Sequence, residues 1–345
     1  MRFRTCLVAA AMASLVAVGG CLNPQPSASG VPAIAWTDPS SHRARIVRVA
    51  PGVALEVLDW GGTGQPLVFL TGAGHSAHIY DSFATRFNTR FHALGITRRG
   101  VGASSRPAAG YDTATLVRDI IAVLDSLGLP KASFAAHSLG GSELNYLAAH
   151  YPARIDRLIY LDAAFEYRTL LDSPELTSGR INTPYPPEPA YGYNTVRTWT
   201  LYGERVSGPG FPESEVRAMF AFDSIGEFVG SASADSLLLR YDRGVIEVDL
   251  RQVRAPTLAI YAPLASAEAM FPYWATLDSA GRAQGEQSFA AVTALHGRLR
   301  PQFQLAVPQA RVVSIPGARH YVFLTDPAET EHAMLEFLLP PPARR

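Results

Sequence analysis

The chain predicts an α/β fold, a mostly parallel sheet flanked by helices, and three observations carry that prediction. Strand-like apolar runs recur along most of its length. Helical patterns separate them. From Pro66 onward several of the runs are continuous rather than alternating, as expected of parallel strands buried on both faces. The 345 residues are 48% hydrophobic and 10% aromatic, which excludes disorder for most of the chain and allows one large domain or two ordinary ones. Thirty Lys+Arg balance thirty Asp+Glu. No basic excess points to nucleic acid, and no acidic excess to a cationic partner.

The strand candidates are 46–49, 54–58, 66–70, 92–96, 132–136, 158–161, 257–261 and 311–315. The first two are joined by a short turn and should run antiparallel. Leu116, Ile120, Ile121, Leu124 and Leu127 fall at helical spacing in 113–127, and 139–150 and 328–339 also read as helices. About ninety residues separate the sixth strand from the seventh. That is too long for a loop in a compact domain. The expectation is a mostly helical cap at 164–250, inserted between the two parts of the body, 43–163 and 251–345.

The N-terminus reads as an address. Arg2 and Arg4 precede an apolar run over 7–18, then Gly19, Gly20 and Cys21. Charged start, short apolar middle and small-residue end are the parts of a secretory signal, here 1–20. The run is too short to span a membrane, which takes about 20 residues. Val18-Gly19-Gly20-Cys21 resembles a bacterial lipobox, which implies cleavage before Cys21 and acylation of its thiol. The only other cysteine, Cys6, would leave with the signal, so the mature chain would have no internal disulfide. Residues 21–42, rich in Pro, Ser, Ala and Gly, suit a flexible tether. The expected location is outside the cytoplasm, either membrane-anchored as a lipoprotein or periplasmic or extracellular.

A strand at 132–136 runs into His137-Ser138-Leu139-Gly140-Gly141 and a helix follows. Strand, tight turn and helix around a central serine is the context of a nucleophile elbow. The turn crowds the residues two before and two after the serine, usually both glycine. Here they are Ala136 and Gly140. A serine before a helix is also a preferred N-cap, which is the competing reading.

Five blocks set the elbow in context: LTGAGHSAH from Leu70, ITRRGVGASSRP from Ile96, AAHSLGGSEL from Ala135, LIYLDAAF from Leu158 and PGARHYVFLTDP from Pro316. On these the chain resembles the α/β-hydrolase superfamily over nearly all of 43–339. The resemblance implies a mostly parallel eight-stranded sheet with an inserted helical cap. It also implies a Ser-His-acid triad, with Ser138 as nucleophile and His320, after the last strand, as its base. His137 is expected to point away along the turn. His332 reads as a surface or packing residue, and His296 has no motif around it. The orienting acid is open between two positions. The superfamily's commonest one follows the seventh strand, where Glu268 is the only carboxylate in 262–271. The second follows the sixth strand, where Asp162 stands. Asp162 is favoured and Glu268 is the alternative.

The tetrahedral intermediate of acyl transfer needs two donors aimed at its oxyanion. The amide after the nucleophile, Leu139, should supply one. The turn after the third strand, at Ala73, should supply the other. His75 and His78 have a spacing a metal pair could use, but no Cys or carboxylate cluster completes a site around them in the sequence. Loop packing or substrate contact is the expectation, and neither a metal nor an organic cofactor is required. The glycine pattern from Gly100 fails as a dinucleotide site because Pro107 follows and no helix opens on it.

The cap interval carries Tyr185, Tyr191, Tyr193, Trp199, Tyr202, Phe211, Phe220 and Phe222. They would either line a lid over an apolar acyl or alcohol group or pack the cap itself. The function expected is a serine esterase on a small-molecule, apolar ester. Peptide or thioester cleavage by the same triad is the alternative, with Glu166, Glu188 and Glu204 as candidates to hold a substrate amine. Epoxide and haloalkane hydrolysis are disfavoured, since their nucleophile is Asp. A binding lipoprotein without catalysis is the remaining class.

Overall fold

In the computed structural model, residues 36–186, 192–234 and 236–339 are described. The expected signal, Cys21, most of the expected tether, Glu188 and Tyr191 lie outside them. Eight strands form the main sheet: β1 (Arg43–Ala50), β2 (Val53–Gly61), β3 (Gln65–Leu70), β4 (Phe91–Ile96), β5 (Ala132–His137), β6 (Ile155–Leu161), β9 (Thr257–Tyr261) and β10 (Arg311–Ser314). Their order is β1-β2-β4-β3-β5-β6-β9-β10. Only β2 runs against the rest. The predicted strands and the three predicted helices are all present, as Thr113–Ser126, Gly140–His150 and Pro327–Leu338 for the helices.

Period-2 alternation divides the core between the two faces of the sheet. Val68 and Leu70 of β3 face Leu116, Ile120, Leu144 and Leu147 of the first two helices, together with Leu295 and Phe303. Leu67 and Phe69 face Phe83, Phe87, Val322 and Phe323. The edge strand β1 is largely exposed and carries Arg43, Arg45 and Arg48, charges that discourage pairing with another sheet edge.

Two features between β6 and the C-terminus depart from expectation. The interval after β6 holds helices at Tyr167–Leu171, Pro174–Thr177, Val196–Val206, Glu213–Met219 and Leu237–Gly244. It also holds a small antiparallel pair, β7 (Phe220–Phe222) with β8 (Phe228–Ser231). Phe220 and Phe222, in an interval expected to be mostly helical, are therefore strand residues. A 28-residue helix, Ser279–Ala306, follows β9 and was not expected. Its glycines and its internal Pro301 hide it from pattern reading.

The strand order reverses around β3. The chain leaves β3 for β4 on one side and returns to β5 on the other. The carboxyl ends of β3 and β5 thus flank a crevice, the usual ligand position in an open α/β sheet. Ala73 follows one of these strands and Ser138 the other.

Candidate active site

Ser138 follows β5 with φ +49°, and Asp162 follows β6 with φ +47°. They are the only non-glycine residues with positive φ among the described residues. Such backbone is costly for a residue with a Cβ and collects at functional sites. The elbow closes tightly. A Cβ on Gly140 would lie 2.8 Å from the Thr71 carbonyl oxygen and 3.2 Å from the Ala136 methyl. The methyl of Ala136 is accommodated because Gly140 has none. Tyr167 donates its hydroxyl proton to the Ser138 carbonyl, and the Gly141 amide donates to the same oxygen at 2.8 Å.

His320 Nδ1 lies 2.9 Å from Asp162 Oδ2. A carboxylate can only accept, so Nδ1 carries the proton and Nε2 presents its lone pair. That Nε2 is buried and has no hydrogen-bond partner among the described residues. Asp162 Oδ1 accepts from the Ala262 amide at 3.2 Å and from Arg300 Nη2 at 3.4 Å. Burial works to raise the pKa of Asp162, but the hydrogen bond and charge of His320, aided by His296 and Arg300, hold it below the usual carboxylate range. Glu268 sits exposed in the short helix Ala267–Met270, and no hydrogen bond or ion pair joins it to His320.

The loop after β3 lies against the elbow. A Cβ on Gly72 would be 3.1 Å from Ser138 Cβ and 2.9 Å from His137 Nδ1. Among the described residues the amides of Ala73 and Leu139 have no hydrogen-bond acceptor. The loop is braced from two sides. Arg98, buried, donates to the Thr71 and Gly72 carbonyls at 2.6 and 2.9 Å. It also grips Glu143 on the nucleophile helix through two bonds of 2.6 and 2.8 Å. His75 bridges Glu215 Oε1 and the Tyr321 hydroxyl, each at 2.9 Å. Glu215, on Glu213–Met219, also accepts from the Ser76 amide and hydroxyl.

Two sequence expectations, for His137 and for the surroundings of His78, need correction. His137 does not point away. Its Nε2 donates to the His320 carbonyl oxygen at 3.1 Å and its ring lies 4.5 Å from the His320 ring. Burial first, then the neighbouring His320 and His75, push its pKa well below that of free histidine. His296, which no motif marks, is also near this group. It accepts from Arg300 at 3.2 Å and stacks on Phe165, and burial with Arg300 and His320 lowers its pKa to about 4. Of the two readings of the aromatics in the interval after β6, packing is seen at Trp199, which stacks on Phe220 at 4.3 Å with Tyr193 and Tyr202 beside it. Finally, carboxylates do gather at His78. Asp38, His42 and Asp81 each bring a donor atom within 4.8 Å of one on His78 and of one another. Two of the four come from the segment before β1, some forty residues away, so local spacing could not reveal the group.

A cavity opens beside His320 and Asp162. Leu176, Ile181, Val206, Phe271, Val292 and Leu295 give it apolar walls, and Arg319 adds a cation. Of the acids weighed for an amine, Glu166 caps the helix Tyr167–Leu171 instead, accepting from the amides of Arg168 and Thr169.

A family model described as alpha/beta hydrolase family matches residues 67–333, and the chain belongs to that family. Among curated proteins it is 23% identical over 288 residues to a 2-(acetamidomethylene)succinate hydrolase of Mesorhizobium japonicum, covering 80% of this chain and 89% of that protein. It is 33% identical over 116 residues to 3-oxoadipate enol-lactonase 2 of Acinetobacter baylyi, covering 33% of this chain and 43% of that protein. Matches of this second kind span less than half of the relative's length. A crystal structure of E-2-(acetamidomethylene)succinate hydrolase superposes with a TM-score of 0.61 at 20% identity, over 86% of this chain and 99% of that one. Carboxylesterase CesB of Bacillus subtilis superposes at 0.55 and 16% identity, over 87% of this chain and 92% of that one. Hydrolases thus recur among the relatives, and the structural likenesses speak for the fold.

Proposed function

We propose that this protein is a serine hydrolase of carboxylic esters. Ser138 Oγ attacks the ester carbonyl while His320 Nε2 takes its proton. The ester oxygen leaves with that proton, and water then hydrolyses the acyl-enzyme by the same relay. Asp162 fixes the tautomer of His320 and stabilises the imidazolium. The amides of Ala73 and Leu139 receive the oxyanion. The observation that carries this reading is the 2.9 Å bond from His320 Nδ1 to Asp162, beside a buried Nε2 that has no partner among the described residues. The apolar cavity beside His320 supports an apolar acyl or alcohol group.

The test is hydrolysis of p-nitrophenyl esters of graded chain length, with Ser138→Ala as control and a fluorophosphonate as label. Turnover is expected to fall by about 10⁴-fold or more in the variant, and the label should sit on Ser138. Turnover undiminished in Ser138→Ala overturns the mechanism. Labelling without ester turnover keeps the nucleophile and moves the substrate to peptides or thioesters. No turnover and no labelling leaves a binding lipoprotein.

The reading includes export and a lipid anchor at Cys21, supported by the VGGC tetrapeptide after a charged and apolar start. Incorporation of radiolabelled palmitate should vanish in Cys21→Ala. Equal incorporation in both proteins would refute the anchor.

A further inference from the structure

The group around His78 is not used by the proposed mechanism. It stands where the chain enters the body. Asp38 and His42 precede β1, while His78 and Asp81 follow the loop that carries Ala73. Three carboxylates meet two imidazoles here, counting Glu56 beside His78. Among the described residues no Lys or Arg pairs with Asp38, Asp81 or Glu56. The group is therefore rich in negative charge and short of cations.

Its distances have a pattern. His78 Nδ1 is 3.3 Å from Asp81 Oδ2 and 3.7 Å from Asp38 Oδ2, and His42 Nε2 is 3.6 Å from Asp38 Oδ2. The two longer separations exceed hydrogen-bond range. All three are close to the edge of a tetrahedron built on 2.0–2.1 Å bonds, about 3.3 Å. The remaining ring nitrogens are also placed. His42 Nδ1 lies 2.7 Å from Asp81 Oδ1, and His78 Nε2 lies 3.5 Å from Glu56 Oε1. Each imidazole thus turns one nitrogen to the shared centre and backs the other with a carboxylate, the arrangement that orients metal-bound histidines. Asp81 is held further by the Trp60 indole N–H at 3.1 Å and the Ser214 hydroxyl, and Glu56 by the Thr97 hydroxyl at 2.7 Å.

The geometry points to a structural site for a divalent metal of the zinc class, held by Asp38 Oδ2, His42 Nε2, His78 Nδ1 and Asp81 Oδ2. Two imidazoles select against Ca²⁺ and Mg²⁺, which take oxygen ligands. Four protein ligands close the coordination sphere, so the ion fastens chain rather than activating water. It pins the end of the tether to the loop after β3 and, through Asp81 and Ser214, to the cap. The half-buried Asp38 is the solvent side of the site and gives the ion its way in.

The experiment uses the full-length chain without a histidine tag, stripped with a chelator and titrated with zinc chloride against a chromophoric chelator. One Zn²⁺ per chain is expected, tighter than micromolar and not displaced by millimolar Ca²⁺ or Mg²⁺. Co²⁺ in its place should give the intense visible bands of tetrahedral coordination. His78→Ala should weaken Zn²⁺ at least 100-fold. Asp38→Asn, a change on a half-buried segment that leaves the core alone, should weaken it at least tenfold while ester turnover holds within twofold. Glu56→Gln, behind His78, should weaken it about tenfold. Three results overturn the site: no Zn²⁺ bound below 100 μM by the folded protein, octahedral Co²⁺ spectra, or affinity unchanged in Asp38→Asn with His42→Ala.

Discussion

The molecule brings imidazoles and buried aspartates together in two places and puts them to opposite use. At the carboxyl ends of β5 and β6, His320 bonds one carboxylate, Asp162, with His296 and Arg300 beside it and His137 packed on the His320 ring. Near the chain's entry, His42 and His78 share Asp38, Asp81 and Glu56. Burial lowers the pKa of a histidine in both places. In the first, neighbouring imidazoles add to it, and His137 is driven well below its ordinary value. In the second, burial is outweighed by Asp81 and Glu56, which carry His78 up to about 10. The ratio of carboxylates to cations decides the outcome. Scarce carboxylate leaves His137 and His296 neutral. Surplus carboxylate calls for a cation.

The widest test of that contrast removes the one carboxylate of the active-site group. Asp162→Asn should lower kcat by about 10⁴-fold, because the amide stabilises the wrong tautomer of His320. Glu268→Gln should leave kcat within twofold. Steady-state kinetics on a p-nitrophenyl ester checks both. A large loss in Glu268→Gln with none in Asp162→Asn would move the acid to the strand β9 turn and dissolve the first half of the comparison.

The corresponding change in the second group should act on stability instead. Asp81 accepts from Trp60, His42 and Ser214 and pairs with His78, and its removal deprives each of them of that contact. Asp81→Ala should cost about 3 kcal/mol or more in chemical unfolding with chelator present. The kcat of the folded fraction should change less than tenfold. A kcat loss matching that of Asp162→Asn would mean that the two groups are one functional unit.

How much of this was legible follows from where the information resides. The sheet could be read because each buried strand announces itself locally, as Leu67–Leu70 does by its unbroken apolar run. The turn at Ser138 and the turn before His320 could be read because each lies in one short block with its glycines. The helix Ser279–Ala306 could not, since its apolar face is weak and broken by Gly281, Gly285, Gly297 and Pro301. Arg300 and His296 were lost with it. The choice between Asp162 and Glu268 needed a distance across 158 residues, which no local pattern contains. The gathering at His78 failed for the same reason. Its partners precede β1, and only the antiparallel start of the sheet brings them to the loop after β3.

The smallest effect concerns acid stability and sets His296 against His78 most directly. Free histidine titrates near pH 6.5, whereas folded His296 titrates near 4, chiefly through burial and then through Arg300 and His320. Between those values the unfolded chain binds the extra proton and the folded chain does not. Stability contributed by a neutral His296 is therefore full above pH 6.5 and is lost as pH falls through that window. At about 1.4 kcal/mol per unit, moving from pH 7 to pH 5 should cost about 1–2 kcal/mol at this one residue. His296→Gln removes the titration, so its unfolding free energy should fall by that much less over the same interval. Urea unfolding of both proteins at the two pH values measures the difference. An equal fall in both would mean that His296 is protonated in the folded chain, and the scarcity of carboxylate around it would then have failed to keep the imidazole neutral.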